Sequence, residues 1–256
     1  MTNLAVGIPV SFLKDGPVKS ELTPRCSVSY RVWAVFWNGY SRLLAFALAF
    51  TSIACLILHF YGLASMRFVF AAVTIPAFVI LAALCWRSVR QVDKTFAKMV
   101  AIGSIAGLVA AIAYDLFRLP FVVLHASGYH YPFALPLFKV FPAFGALLLG
   151  QPALQANYSV SEYALGWTYH FSNAVGFGIM YVAAIGYPLR RHWIWAVVMA
   201  VGLETGMLLM PYADLFSIRI TPWFISMTSL AHGLFGLALG LSSRWLANRL
   251  DSRFYF

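Results

Sequence analysis

Apolar positions in this chain run in long stretches and do not alternate with polar ones at the two-residue period of a half-buried strand. Six stretches, at about 43–63, 68–86, 99–119, 162–187, 193–212 and 222–241, each hold close to 20 residues with almost no charge. In helical form about 20 apolar residues cross a ~30 Å hydrocarbon core. The pattern predicts an all-α, polytopic helical membrane protein with about six transmembrane helices. Residues 1–40 form a cytoplasmic tail and an interfacial helix, and residues 41–256 a single transmembrane domain.

The segments between the stretches refine this picture. Tyr30, Trp33, Phe36, Trp37 and Tyr40 cluster around Arg31 at helical spacings, which suits a helix lying in the membrane interface. Pro76 predicts a kink in the second span. The long connection 120–161 contains Pro132, Pro136, Pro142 and Pro152, so it is not one continuous helix. Within it, 137–149 is apolar but too short to cross, and reads as a re-entrant or interfacial segment that caps the bundle on the outer side.

Composition and charge agree with a lipid setting. The 256 residues are 62% hydrophobic and only 10% charged, with a mean hydropathy of +0.80; a water-soluble surface needs roughly a quarter of residues charged. The net charge of +10 is not a nucleic-acid footprint, because 14 of the 18 Lys and Arg fall in loops and tails on one side of a six-span topology. The positive-inside rule places that side, with both termini, in the cytoplasm, as in a multi-pass protein of a cell (inner) membrane. Cys26, Cys55 and Cys85 show no paired spacing, and no nucleotide loop, nucleophile elbow or metalloprotease motif is present.

The candidate chemistry lies inside the apolar stretches. Asp115, His170, Glu204 and His232 occupy four different spans, and an ionisable residue within a membrane helix points to function. Counted from the expected outer ends at ~1.5 Å per residue, His170 and Glu204 lie roughly 12 Å deep, His232 roughly 15 Å and Asp115 roughly 6 Å. They are expected to meet in one site, with Arg118, Tyr169, Asn173 and Thr228 adding hydrogen-bonding groups. Three readings stay open. The cluster is interhelical glue, or it binds one divalent metal ion (Zn, Fe or Mn) for transport or as the centre of a metal-dependent membrane enzyme, or it is a proton relay or substrate site of a transporter. Two histidines on different helices could also ligate haem.

Small residues suggest how the spans pack. Gly103, Gly107, Ala111 and Asp115 share one stripe; so do Thr228, His232, Gly236 and Gly240, and likewise Gly166, His170 and Asn173. Such stripes bring helix backbones close together. Gly202 and Gly206 lie on the face opposite Glu204. Spans one and two lack a Gly-x-x-x-Gly pair and read as peripheral. Left exposed, such stripes would serve a membrane-protein partner or a second copy of the chain, making it an accessory structural subunit.

The stretch 167–187, together with Ala231-His232-Gly233, resembles the YagU-like family of bacterial inner-membrane proteins. The resemblance covers only the C-terminal part. The chain departs from it by its extra N-terminal spans and by Glu204, where another type of polar residue is expected. It implies a bacterial inner-membrane location and adds little mechanism.

Topology is directly testable. A reporter fused after Phe256 or inserted near Val92 should read out as cytoplasmic, and one near Ser127 as external. An external signal from the C-terminal fusion would overturn an even number of spans.

Overall fold

A computed structural model describes residues 28–91, 94–129 and 135–252 of the chain. The N-terminal tail, the aromatic side chains before Asn38, His130 and Arg253 lie outside the described residues. Among the described residues every regular element is helical. In chain order they are α1 (Val28–Phe60), α2 (Met66–Val69), α3 (Ile75–Val89), α4 (Thr95–Ala126), α5 (Val140–Leu149), α6 (Val160–Ile185), α7 (Ile194–Leu208), α8 (Tyr212–Leu215) and α9 (Pro222–Ser252). The packing described below is that of residues from 38 onward.

Four segments are long and apolar enough to cross a membrane: Gly39–Phe60, Met66–Val89, Thr95–Ala126 and Pro222–Leu250. This architecture is consistent with an integral membrane protein. The other two expected spans have a different character. The 26 residues of α6 are sufficient in length, but Glu162, His170 and Asn173 make it more polar than those four. The 15 residues of α7 extend only roughly 22 Å. The chain then turns through Leu209, whose N–H approaches both the Thr205 and Gly206 carbonyls, and Pro211 prevents the helix from resuming in register.

Two prolines act differently from a simple break. Pro76 lies in the first turn of α3, directly after a π-helical turn at Phe70–Thr74. Proline has no N–H, and its ring crowds the carbonyl four residues back; the wider π turn takes up that crowding. Pro120 sits inside α4, which continues to Ala126. The expected end at residue 119 is therefore too early. A proline costs a membrane helix one hydrogen bond, and neighbouring groups can re-satisfy the carbonyl it frees.

At the centre of the bundle is α6, with α1, α4 and α5 antiparallel to it. Backbone meets backbone along two of these seams. A Cβ at Gly103 would fall 2.6 Å from Ile179 Cα, one at Gly107 would run into the Ala174 carbonyl, and one at Gly178 into that of Gly103. Gly145 and Gly166 give α5 and α6 the same close approach, against the carbonyls of Glu162 and Phe141. A second pairing joins α7 to α9, where a Cβ at Gly236 would lie 2.5 Å from Val197 Cα. Gly202 and Gly206 have nothing within 4 Å, so α7 uses its other face for packing.

The first span is not peripheral. Ala45, Ala49 and Cys55 are fully buried, and Ala49 presents its carbonyl to Gly176 of α6. Near its start Arg42 donates to the carbonyls of Ala183 and Ala184, at 2.7 Å each, and so caps the C-terminal end of α6. On the α1 side small residues other than glycine make this seam, so it shows no glycine pair in that span. The segment Met66–Val89 is the more exposed of the two, as a peripheral span should be. The short helix α5 is buried from Val140 to Leu148 and ends at Gly150, whose φ of 78° is left-handed. It packs within the bundle and does not lie across it as a cap. The opposite end of the adjoining loop is fastened by a capping box: Ser159 N donates to Glu162 Oε2 at 2.5 Å, and Ser159 Oγ accepts from Glu162 N.

Replacing Gly107 or Gly178 by leucine should lower thermal stability in detergent by at least the roughly 1–3 kcal/mol typical of overpacking, because backbone atoms cannot step aside. Gly202→Ala and Gly206→Ala should leave the melting temperature unchanged or slightly raised. Equal losses at all four positions would refute this packing.

Candidate functional site

The helix register that the glycines set brings the polar residues together as two pairs. On the α4–α6 seam, Asp115 Oδ2 lies 2.9 Å from His170 Nε2. On the α7–α9 seam, Glu204 Oε2 lies 3.3 Å from His232 Nε2. Depth explains the first pair. Because α4 continues past Pro120, Asp115 is about 11 residues, or roughly 16 Å, from its end, and His170 is about as far from the start of α6. Asp115 thus lies farther from the end of its helix than the expected end at residue 119 implies.

Each pair is held by its surroundings. Thr228 Oγ1 donates to Glu204 Oε1 at 2.5 Å, and His232 Nδ1 stands 2.9 Å from the Thr228 carbonyl one turn earlier. With Nδ1 donating to that carbonyl, Nε2 of a neutral ring is an acceptor towards Glu204; a doubly protonated ring donates at both ends. Arg118, one turn after Asp115, places Nη1 3.7 Å from Asp115 Oδ1 and donates through Nη2 to the Leu137 carbonyl. Asp115 Oδ1 is buried without a hydrogen bond, so that carboxylate keeps an unused acceptor. Phe141 lies against His170, with ring centres 4.4 Å apart.

One residue that sequence reasoning missed joins the two pairs. The ring of Tyr114 is 4.8 Å from the His232 ring and 6.1 Å from the His170 ring, and the Arg118 guanidinium sits 4.6 Å over it. Its spacing of four from Arg118 was the available signal; as one aromatic among many it did not stand out. Ser52 was also missed. Its hydroxyl donates to Asn173 Oδ1 and its carbonyl accepts from the Tyr169 hydroxyl at 2.8 Å. Of the four supporting residues expected, Arg118 and Thr228 touch the pairs directly. Tyr169, fully buried, turns its hydroxyl to α1 instead, and Asn173 is bonded to the same helix.

The four ionisable residues meet as two pairs, and His170, Glu204 and His232 line one small cavity. Among the described residues, no group of three or more His, Cys, Asp or Glu side chains is arranged to hold a metal ion. Two cavities adjoin the pairs. A cavity of about 650 Å³ is lined by Tyr114, Arg118, Glu204 and Thr228 among others. A smaller one, about 160 Å³, reaches His170, Asn173 and His232. Tyr114, Arg118 and Glu204 line both. The arrangement can hold and exchange protons beside a space large enough for a small organic molecule. Compared with known proteins, the chain matches no family model, no curated protein and no solved structure.

A double-mutant cycle on stability separates two pairs from one cluster. Asp115→Asn with His170→Gln, and Glu204→Gln with His232→Gln, should each show coupling of about 0.5–3 kcal/mol, whereas Asp115→Asn with Glu204→Gln should be additive within ~0.5 kcal/mol. Strong coupling across the pairs would restore the single-cluster picture.

Proposed function

We propose that this protein moves a small solute across a cell (inner) membrane in a proton-linked manner, with both termini cytoplasmic. The observation that carries the reading is the pair of carboxylate–imidazole contacts, Asp115–His170 and Glu204–His232, with Tyr114 against both imidazoles, His170, Glu204 and His232 lining the smaller cavity and Glu204 also reaching the larger one. Each pair is a site where a proton can be held or passed, since a carboxylate and an imidazole within hydrogen-bond reach exchange one readily. Intramembrane Asp, Glu and His side chains that face a bundle interior are the usual parts of such relays.

A divalent metal ion such as Zn, Fe or Mn is the other small cation these residue types would suit. It would need His170, His232 and Glu204, which line the smaller cavity, to turn towards one ion in place of their present pairings. The proton-linked reading uses the geometry as it stands.

Proteoliposomes loaded with a pH-sensitive dye and given an inside-negative potassium diffusion potential should acidify faster than empty vesicles. Asp115→Asn and Glu204→Gln should each return the rate to that of empty vesicles. A wild-type rate no greater than empty vesicles would sink the proton-linked reading. If, in addition, elemental analysis showed about one first-row divalent metal per chain, lost in His170→Ala and His232→Ala, the metal reading would take its place.

A further inference from the structure

The larger cavity carries a charge pattern that proton exchange alone does not use. Arg118 lies at its buried end, only 6% exposed. Its guanidinium is held over the rings of Tyr114 and Phe138, and one of its five N–H donors goes to the Leu137 carbonyl. Asp115, its nearest acid at 3.7 Å, is engaged by His170 through the other oxygen. Lys139 and Arg219 line the same cavity at exposed positions, and among the described residues neither forms an ion pair.

Against these three cations the lining offers one acid, Glu204. Both of its oxygens are already approached, Oε1 by Thr228 and Oε2 by His232. The remaining walls are largely apolar, with Leu135, Val140, Phe224 and Met227 among them. A cationic solute would enter beside three like charges. A small inorganic anion would satisfy the cations and leave the apolar walls without a partner. A neutral polar solute would leave the three cations without a counter-charge.

We propose that this cavity binds an amphipathic organic anion. Its carboxylate, sulfonate or phosphate head would lie against the guanidinium of Arg118, with Lys139 and Arg219 drawing it in, and its alkyl or aryl body would lie against the apolar walls. A guanidinium fork, held in plane by aromatic rings, matches the geometry of such head groups. The volume of about 650 Å³ falls within the roughly 300–1,000 Å³ of small-molecule pockets. This inference rests on reading the cavity as the solute site of the proposed transporter. The anion could come from the aqueous phase or be an anionic lipid of the bilayer, since both present the same chemistry.

The test is equilibrium binding of octanesulfonate, a permanently charged probe, to the full chain in phosphatidylcholine nanodiscs. Binding should be saturable, and octyltrimethylammonium, with the same tail and the opposite charge, should not compete. Lys139→Glu and Arg219→Glu should each weaken binding by about tenfold, the loss of one favourable charge and the gain of an unfavourable one. Both positions are exposed, and gel filtration checks that the variants fold. Competition by phosphatidylglycerol in the disc would assign the anion to the bilayer, and its absence would assign it to water. No saturable binding, binding unchanged by both reversals, or displacement by the cation would each overturn the proposal. Binding without proton flux in the dye-loaded vesicles would keep the anion site and remove the proton-linked reading. Flux without binding would do the reverse.

Discussion

The close approach of α4 and α6 at Gly103, Gly107 and Gly178 is the constraint on which the polar centre depends. Lipid tails are as apolar as leucine, so helices in a bilayer gain little by burying apolar side chains against one another. Close packing and interhelical hydrogen bonds do that work instead. Here the absence of side chains lets the two backbones touch, and the antiparallel register that results carries Asp115 to within 2.9 Å of His170. A bulkier residue at any of these glycines would separate the seam and leave a carboxylate and an imidazole in a poorly solvating medium without each other. Removing one partner from a buried pair costs about 3–5 kcal/mol, so packing and electrostatics protect the same geometry.

The α7–α9 seam repeats the scheme with Gly236 and Gly240 below and Glu204, Thr228 and His232 above. Tyr114 then ties one seam to the other by touching both imidazoles. The polar character of α6 follows from its place at the centre. A helix surrounded by α1, α4 and α5 need not present an apolar surface to lipid, so it can carry Glu162, His170 and Asn173. The same reasoning accounts for α5, which is too short to span yet buried almost along its whole length. Irregular or short segments persist at membrane depth when protein surrounds them. Its approach to the bundle is held by the Arg118 bond to the Leu137 carbonyl, and this contact also sets one wall of the larger cavity.

Much of this was legible in the chain itself. The helical class and the apolar segments follow from the length of the uncharged runs, because a ~30 Å hydrocarbon core demands about 20 apolar residues whatever the packing. Asp115, His170, Glu204 and His232 stood out because charge inside such a run is costly anywhere in a bilayer, and Gly103, Gly107 and Gly236 because small residues at intervals of four mark a seam. What the tertiary structure alone decided was who meets whom. Pro120 looked like an end and lies inside a helix, which moves Asp115 farther from the end of that helix. Ala45, Ala49 and Ser52 of α1 form their side of a seam without a glycine, facing Gly176 of α6. Tyr169 turns to Ser52, and an unremarkable Tyr114 joins the two pairs. Spacing along one helix reports a face and a depth, but the rotation of that helix against its neighbours depends on contacts from every other segment, and no single segment encodes those.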